Sequence, residues 1–392
     1  MSYSENFKEV LKSVPVSDET DIHWDKLEKT QLGSLLHKMS TIQQDPEHHA
    51  EGDVYRHTKQ VCEELIKLPE YRSRSEEDKI VLFLSALLHD IGKIKCTKTD
   101  NGKIIAPGHA SKSALMAREL LWKDFGLCGS EEKQQLREGI CSLIRYHSFP
   151  PHIIKEDNPE YKILRIASVS NVAKLFSLRK LCVLSDADVL GRECYDKQDY
   201  LERNEYCKMI SADLGCTDEP YLFKNEFTQR AYYLNKTTWR DNDIYNNSWG
   251  KVIMLSGLPG TGKDTWISEN YPDLPMISLD VIRKQLKILH TDNQGKVISV
   301  AQDKAKEHLR NKQSFVWNAT DITEATRGKW ISLFEQYGAA VEVVFLETGW
   351  EEQLRRNENR KDIVPVVKIE DMLSKLEIPQ PFECEKVRWE TT

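Results

Sequence analysis

The sequence predicts a two-domain protein in which an all-helical domain precedes an α/β domain with a parallel sheet. The chain of 392 residues is longer than one hydrophobic core usually serves. In the first half, apolar residues recur at the three- and four-residue spacings of amphipathic helices, whereas later short apolar runs alternate with helical stretches. Histidines also divide unequally, with nine of the eleven before residue 153. This asymmetry predicts a metal site in the first domain.

The composition restricts the class of protein. With 40% hydrophobic and 30% charged residues, the chain is typical of soluble globular proteins. Its net charge of −7 argues against binding nucleic acid over its whole surface, so any nucleic-acid site must be local. The nine cysteines include no C-x-x-C pair, and no run is apolar enough for a signal peptide or a membrane span. We therefore expect a cytoplasmic protein without a membrane partner.

Periodicity predicts the elements of each domain. In a first domain at residues 1–195, five amphipathic segments predict helices at residues 54–68, 78–93, 109–126, 131–147 and 171–191. Residues 196–248 are polar and aromatic without a continuous apolar strand, which predicts a connection of helices and loops. In a second domain at residues 249–392, four apolar runs predict parallel strands at residues 251–257, 275–280, 314–320 and 339–347.

Histidine and aspartate residues on the predicted helices form the first candidate site. The central feature is LLHDIGK, in which His89 and Asp90 are adjacent near the end of an apolar helix. Imidazole and carboxylate groups that project inward from separate helices can hold a transition metal, and a shared carboxylate can bridge two ions. The candidate metal ligands are His57, His89, Asp90, His109, His147, Asp186 and Asp188.

The order His, His-Asp, His, His, Asp along the chain closely resembles the HD phosphohydrolase superfamily. This resemblance implies an all-α HD-type metallophosphohydrolase with one or two divalent transition-metal ions, and the ligand types suit Mn, Ni, Co, Fe or Zn. It assigns His57, His89, Asp90 and the last aspartate to one ion. It places Asp90, His109 and His147 around the other.

Some details of this site stay open in the sequence. The ADVLGR context resembles the family motif best at Asp188, which leaves Asp186 as the alternative ligand. Nothing resembles a nucleophilic cysteine or a serine triad, so we expect direct hydrolysis of a phosphomonoester or cyclic phosphodiester by metal-activated water. Further candidates for contacts with phosphate or with the ligands are His49, Lys93, Arg145 and His152.

The segment GLPGTGKDT at residues 257–265 predicts a nucleotide site. It follows an apolar run and precedes a helix, so its glycines allow a turn whose backbone N–H groups face phosphate, and Lys263 reaches the outer phosphates. We therefore expect ATP or another nucleoside triphosphate, with Mg²⁺. Asp264 departs from the pattern, because a serine or threonine usually contacts magnesium there. The candidate nucleotide-binding residues are Gly257, Gly260, Thr261, Gly262, Lys263, Asp264 and Thr265.

Charged residues farther along predict the acceptor side of a phosphotransfer site. Asp280 and Arg283 are three residues apart and share a face if a helix starts there, and Arg356 and Arg360 are four apart, which places them on one helical face. Phosphorylation of a hydroxyl requires a carboxylate that takes the proton and arginines near the γ-phosphate. Together with the phosphate loop, these residues resemble the phage-type 5′-hydroxyl polynucleotide kinases.

That resemblance implies an α/β P-loop kinase with a helical lid. It makes Asp280 the general base and Arg283 the clamp on the acceptor phosphate. Arg360 then acts at the transition state, and Arg356 assists it.

The second domain departs from these kinases at one further position. Asn318 lies in WNATDIT, where relatives often have an aspartate at the strand end. We hypothesise that Asp264 contacts the hydrated Mg²⁺, directly or through water, and so replaces the carboxylate that is missing at residue 318.

The two resemblances together imply a function in the repair of broken strands. RNA that ends in a 2′,3′-cyclic phosphate and a 5′-hydroxyl needs both activities before ligation. The domain order resembles the HD-Pnk family of bifunctional bacterial RNA end-healing enzymes, so RNA or DNA ends are the expected substrates and a separate RNA ligase the expected downstream partner. One alternative is an HD nucleotidase fused to a small-molecule or nucleoside kinase. Another is a regulatory protein in which the phosphate loop switches the first domain.

Overall fold

The computed structural model describes residues 3–16, 21–289, 292–360 and 362–392. The chain forms two compact units, one of Met1–Cys128 with Glu132–Tyr221 and one of Gly129–Glu131 with Leu222–Thr392. The first unit is helical and the second is an α/β unit with a parallel sheet, so the predicted fold class is confirmed. The boundary at residues 221–222 falls inside the segment 196–248 that we expected as a connection. In the described part of the chain, no helix is both long and apolar enough to cross a membrane.

The described residues of the first unit form mainly α-helices, and all five predicted segments contain one. Short 3-10 helices cover Pro150–Lys155 and Ser168–Asn171, and a π-helical turn covers Leu120–Asp124. The helices are α1 Glu5–Leu11, α2 Trp24–Leu27, α3 Gly33–Ser40, α4 Val54–Lys67, α5 Pro69–Arg72, α6 Glu76–Leu88, α7 Lys93–Cys96, α8 His109–Glu119, α9 Glu131–Tyr146, α10 Pro159–Ala167, α11 Leu178–Leu190 and α12 Lys197–Asp213.

Helix α6 is the centre of this unit. Ser75 caps its N-terminus by accepting a hydrogen bond from the backbone N–H of Asp78, and acidic residues fill the first turn. Every residue from Val81 to Leu88 is buried, because α4 and α11 both pack against this helix. A helix that is apolar on all sides belongs in a core. Its last turn therefore delivers the following His-Asp pair into the interior.

A short antiparallel hairpin interrupts the helices of the first unit. Strands β1 Lys98–Asp100 and β2 Lys103–Ile105 pair across the turn residues Asn101 and Gly102, whose φ angles are 50° and 80°. Positive φ at both positions is the requirement of a type I′ turn, for which Asn-Gly is a preferred sequence. Periodicity missed this hairpin because its strands are short and mostly exposed, although the Asn-Gly pair was a signal for it.

The described residues of the second unit form a five-stranded parallel sheet in the order β4-β5-β3-β6-β7. The four predicted strands are present, and β7 was not predicted because its sequence, KVRWET, mixes charged and apolar residues at a half-exposed edge. The strands are β3 Lys251–Ser256, β4 Met276–Ser278, β5 Phe315–Asn318, β6 Ala340–Glu347 and β7 Lys386–Thr391. The helices are α13 Glu226–Tyr233, α14 Lys263–Asn270, α15 Leu279–Gln285, α16 Gly295–Arg310, α17 Glu324–Gln336, α18 Trp350–Glu358 and α19 Val366–Leu373.

Helices cover both faces of this sheet. On one face, Val252, Met254 and Trp317 pack in a core with the apolar sides of α16 and α17. On the other face, Ile253 and Leu255 pack with residues of α14. Burial on both faces explains why the strands are continuous apolar runs. It also leaves the carboxyl ends of the central strands as the place for a ligand, as is usual for open parallel sheets.

Candidate functional sites

The first unit brings six of the seven candidate metal ligands together. They come from five separate helices or helix ends, so each side chain enters the cluster from a different direction. All are buried except His109, whose side chain is 24% exposed. The cluster consists of His57 on α4, His89 and Asp90 after α6, His109 at the start of α8, His147 after α9, and Asp188 on α11.

Distances within the cluster match shared coordination. His57 Nε2 lies 3.0 Å from Asp188 Oδ1, and His89 Nε2 lies 3.2 Å from Asp90 Oδ2. The other oxygen of Asp90 faces His109, with 3.4 Å between Oδ1 and Nε2. Two groups of three have all their ligand atoms within 4.8 Å of one another: His57, His89 and Asp188, and His89, Asp90 and His147. His89 belongs to both groups.

Backbone carbonyls fix the orientation of three of these imidazoles. His89, His109 and His147 each donate Nδ1–H to the carbonyl three residues earlier, at 2.7, 2.9 and 2.8 Å. Because that hydrogen bond selects the tautomer, the unprotonated Nε2 of each ring points to the cluster. This is the arrangement that imidazole needs to act as a metal ligand.

Glu51 supports the fourth imidazole, and the sequence analysis did not identify it. Its Oε1 lies 2.8 Å from His57 Nδ1 and 2.8 Å from His49 Nδ1, and the backbone N–H of Glu193 donates to its Oε2. Although burial opposes the charged form, the contacts with His49 and His57 hold the pKa of Glu51 below its usual range. A carboxylate behind a ligating histidine fixes the ring and raises its basicity. In the sequence, the only indication of this role was that Glu51 lies shortly before His57 in HHAEGDVYRH.

The unsatisfied atoms of the cluster fit a divalent metal. His89 Nε2 and Asp90 Oδ1 are buried and have no hydrogen-bond partner among the described residues. Such orphaned atoms are rare in native proteins and call for an ion or a water. Lys93 Nζ lies 2.7 Å from Asp90 Oδ2, and Arg192 donates to Asp188, so neighbouring cations hold the two carboxylates in place. Imidazole nitrogens and carboxylate oxygens are suitable ligands for Mn, Fe, Co, Ni or Zn.

The electrostatics of the cluster also suit metal binding. Burial opposes ionisation of Asp90 and Asp188, but His89 and Lys93 near the first and Arg192 near the second hold both pKa values well below the usual range. Burial lowers the pKa of His147 to about 3. Metal ligands must be deprotonated carboxylates and neutral imidazoles. The fold therefore favours the ligand form of Asp90, Asp188 and His147 near neutral pH. Although burial opposes the charged form of His89, its contact with Asp90 raises the pKa of this ring, so metal binding displaces a proton from His89.

Asp186 does not join the cluster. It lies on another face of α11, where its carboxylate accepts hydrogen bonds from Lys208 Nζ at 2.7 Å and Asn204 Nδ2 at 2.8 Å. The structure therefore places Asp188, and not the alternative Asp186, among the candidate ligands. Two residues along an α-helix correspond to a rotation of about 200°, so only one member of this pair can face inward.

The four additional candidates occupy different positions. His49 and Lys93 contact the cluster through Glu51 and Asp90. Arg145 is exposed and donates to Ser111, so it does not contact the ligands in this conformation. His152 lies beside the cluster, where its ring packs near Tyr200.

The phosphate loop of the second unit joins the end of β3 to the start of α14. At two of its positions only glycine fits, because the φ angle is positive and a Cβ atom would collide with a neighbouring carbonyl. Gly257 and Gly260 have φ angles of 149° and 87°, and a Cβ atom would lie 2.5 Å from the Leu346 carbonyl or 2.8 Å from the Gln353 carbonyl. Any larger residue would therefore displace the loop from its neighbours.

Lys263 lies at the centre of this loop. Its Nζ donates to the carbonyls of Gly257 and Leu258, at 2.9 and 2.8 Å. Burial lowers the pKa of this lysine to about 8, and Asp280 and Asp264 partly oppose that shift. The buried Thr261 hydroxyl also donates to Leu258, so this residue shapes the loop from inside.

The acceptor-side residues gather around a cavity of about 400 Å³ at the phosphate loop. Gly260, Gly262, Asp264 and Thr265 line it, and Asp280, Arg283, Arg356 and Arg360 line it too. Helix α15 starts at Leu279, so Asp280 and Arg283 share a face and form an ion pair. Arg360 approaches from the opposite segment, with 3.6 Å between its Nη2 and Asp280 Oδ2. The structure thus brings the predicted base and all three predicted arginines to one cavity.

Arg356 and Arg360 do not lie on one helical face, contrary to the expectation from their spacing. Helix α18 ends at Glu358, and Arg360 follows in the turn. The side chain of Asn357 holds this turn, because it donates to the Val364 carbonyl at 2.8 Å and accepts from the Val364 N–H at 3.1 Å. The turn, rather than helical periodicity, directs Arg360 to the cavity.

Asp264 and Asn318 are in direct contact. Asn318 Nδ2 donates to Asp264 Oδ1 at 2.6 Å. Strand β5 is parallel to β3, and Asn318 is in register with Leu255 at the same edge of the sheet. A carboxylate is therefore present next to residue 318, although it comes from the first helical turn instead of the strand.

Family models match both units. Residues 53–173 match the model of the HD domain, and residues 252–379 match AAA_33, a model described as an AAA domain. No curated protein matches the chain. The fold and the sites thus define an HD phosphohydrolase domain fused to a P-loop kinase-like domain. The first match contains the candidate ligands from His57 to His147, and the second contains the phosphate loop and the Asp280 cavity.

Proposed function

We propose that this chain is a bifunctional end-healing enzyme of the HD-Pnk type. Its HD unit removes a 2′,3′-cyclic phosphate or a 2′- or 3′-phosphate from RNA ends, and its kinase unit transfers the γ-phosphate of a nucleoside triphosphate to a 5′-hydroxyl end. The observation that carries the proposal is the meeting of Asp280, Arg283 and Arg360 at the phosphate-loop cavity. Simple binding of a nucleotide requires none of these three residues.

The kinase step follows from the positions of these groups. Asp280 accepts the proton of the 5′-hydroxyl, and the resulting oxygen nucleophile forms a bond to the γ-phosphorus while the bond to the bridging β-oxygen breaks. The nucleoside diphosphate leaves with that oxygen. Lys263 and Arg360 stabilise the charge that develops on the phosphoryl oxygens. Arg283 holds the phosphate of the acceptor strand and, through its ion pair, positions the Asp280 carboxylate.

The hydrolytic step uses the His/Asp cluster. His57, His89, Asp90 and Asp188 would hold one divalent ion, and Asp90, His109 and His147 would hold a second. Bound ions of this kind polarise a phosphate oxygen and make water a nucleophile at neutral pH. The chain itself supplies fixed Nε2 lone pairs and ionised carboxylates. Arg192 and Lys93 balance the charge of the carboxylates beside the site.

The two reactions are complementary on one broken strand. The first leaves a terminal diol and the second leaves a 5′-phosphate, which are the ends that a ligase joins. We propose a separate RNA ligase as the enzyme that acts next.

The test of the kinase assignment uses γ-labelled ATP, magnesium and a 5′-hydroxyl oligonucleotide. We expect label transfer to the oligonucleotide by the wild type and a loss of about 100-fold or more in Asp280→Ala, because a general base contributes that much. Asp371→Ala removes an exposed acid of the same unit that pairs with Lys375, and it is the matched control. Transfer to free nucleosides alone would favour the alternative of a nucleoside kinase.

The test of the hydrolase assignment uses an oligonucleotide that ends in a 2′,3′-cyclic phosphate, with each divalent metal in turn. We expect phosphate release by the wild type and none by His89→Ala or Asp90→Ala, while kinase activity persists in both variants. Hydrolysis of free nucleotides but not of oligonucleotide ends would point to the nucleotidase alternative. The absence of both activities would point to a regulatory protein.

A further inference from the structure

A cationic aromatic cluster lies next to the candidate ligands in the first unit. It consists of His152, Arg192, Tyr200 and Arg203, from the 3-10 helix Pro150–Lys155, the end of α11 and helix α12. Neither the family resemblance nor the metal chemistry assigns a role to Tyr200 or Arg203. We call this group the Tyr200 cluster.

Arg192 connects the Tyr200 cluster to the metal ligands. Its guanidinium donates to both carboxylate oxygens of Asp188, and the same guanidinium carbon lies 5.6 Å from the centroid of the Tyr200 ring. The Tyr200 ring is thus separated from a candidate ligand by a single side chain.

Arg203 approaches the same ring and has no acidic partner. Its guanidinium carbon lies 4.8 Å from the Tyr200 centroid, which is within the range of a cation–π contact. Among the described residues, no carboxylate forms an ion pair with Arg203, whereas Arg192 is paired with Asp188. Its one protein hydrogen bond is a long one to the Pro151 carbonyl, at 3.5 Å. The side chain is partly exposed, so most of its N–H groups remain free for a ligand.

His152 adds a hydrogen-bond acceptor, its Nε2, to the cluster. Its Nδ1 donates to the Ser148 carbonyl at 2.9 Å, and its ring centroid lies 6.0 Å from that of Tyr200. The described residues offer no hydrogen bond to its Nε2. Burial and the neighbouring carboxylate of Asp196 raise the pKa of the Tyr200 hydroxyl.

We propose that the Tyr200 cluster is a subsite for the phosphodiester that precedes the terminal phosphate of a nucleic-acid substrate. Arg203 binds its oxygens, and Tyr200 positions Arg203 through the ring. Guanidinium groups held on aromatic rings are suited to phosphate because the ring orients the planar donor fork. The inference rests on the proposed function of the HD unit. It predicts that this unit prefers oligonucleotide ends to mononucleotides, because a mononucleotide has no second phosphate.

The test compares two substrates of the metal-loaded full chain: a 2′,3′-cyclic mononucleotide and an oligoribonucleotide with the same terminal nucleoside and a 2′,3′-cyclic phosphate. For Arg203→Gln we expect kcat/KM on the oligonucleotide to fall about tenfold, mainly through KM, because one charged phosphate contact is lost. The mononucleotide should change less than about twofold, since it does not reach Arg203. Arg179→Gln is the matched control, because Arg179 is an exposed arginine of the same unit that pairs with Asp218. Equal effects of Arg203→Gln on both substrates, or no effect on either, would refute the subsite.

Binding provides a second readout that does not depend on metal. In an Arg283→Gln background, which weakens the proposed acceptor clamp of the kinase unit, fluorescence anisotropy measures the affinity of metal-free protein for a 5′-labelled oligoribonucleotide with a 3′-phosphate. We expect Arg203→Gln to weaken binding and to reduce the slope of log affinity against log salt by about 0.7, the value for one single-strand phosphate. If the wild type hydrolyses neither substrate, the proposed function fails, and this slope still decides whether the subsite exists. An unchanged slope would overturn the inference.

Discussion

The two sites of this protein are assembled in opposite ways. The His/Asp cluster is made of buried side chains, each anchored by a second contact behind it, such as the carbonyls behind His89 and His147. The phosphate-loop cavity is made of partly exposed side chains that pair with one another, as Asp280 does with Arg283. The first site is therefore preorganised for a small ion. The second must exchange internal ion pairs for contacts with nucleotide and acceptor.

The largest expected effect concerns the choice of ligand within the buried site. Asp188→Asn should reduce metal retention and phosphohydrolase activity by about 100-fold or more, because a ligand changes the metal affinity more than its supporting groups do. Asp186→Asn, two positions away, should leave both within about twofold, since its carboxylate binds Lys208 and Asn204 instead. Metal content after dialysis and phosphate release measure the two effects. Equal losses in both variants would contradict the assignment of Asp188 alone.

Because the buried site is preorganised, we expect a residue that supports a ligand without touching substrate to affect the metal affinity. Glu51→Gln should lower the metal affinity about 10- to 100-fold, as changes behind ligating histidines usually do, because His57 loses its carboxylate partner. Competition with a metal indicator gives this affinity directly. Glu47→Gln changes an exposed acid of the same segment that pairs with Lys103, and it should bind metal normally. A normal affinity in Glu51→Gln would show that backbone packing alone orients His57.

In the phosphate-loop cavity, we expect that the carboxylate near magnesium can be moved from residue 264 to residue 318 without loss of magnesium affinity. In Asp264→Ala we expect the magnesium concentration for half-maximal kinase activity to rise about tenfold, because a carboxylate contact to the hydrated ion is lost. The double variant Asp264→Ala with Asn318→Asp returns the carboxylate to the strand end and should recover most of the magnesium affinity. Magnesium titrations at saturating ATP test this pair. An unchanged magnesium dependence in the single variant would refute the hypothesis about Asp264.

The smallest expected effect is the pH dependence of nucleotide binding. Burial lowers the pKa of Lys263 to about 8 in the nucleotide-free protein. Phosphate binds the charged form, so binding takes up a proton above pH 8, and the affinity for ATP should fall about tenfold between pH 7 and pH 9. Calorimetry at pH 7 and at pH 9, in buffers of different ionisation enthalpy, measures the affinity for ATP and the proton uptake. In Lys263→Arg the guanidinium stays charged across this range, and the decline should disappear.

Much of the fold was predictable because its periodicity is local. The buried strands β3 and β6 are continuous apolar runs, and α4 and α9 carry the three- and four-residue spacing. Strand β7 was missed because it lies at an edge of the sheet, is only partly buried and carries charged residues among its apolar ones. Most of the candidate metal ligands were also predictable. Several histidines and aspartates at helix positions of one domain have few common roles other than metal binding.

Residue types and short motifs predicted the two domain types and the phosphate loop, and the resemblance that the His-Asp motif carries supplied the candidate ligands of the metal cluster. Tertiary structure alone decided which aspartate of SDAD faces inward, because the helix phase depends on what α11 packs against. It also decided that Glu51 supports His57, that a turn directs Arg360, and that Asp264 meets Asn318 across 54 residues. The contacts of Arg360 with Asp280 and of Asp264 with Asn318 join residues that are far apart along the chain. Only the packing of the helices and the register of the parallel strands bring them together.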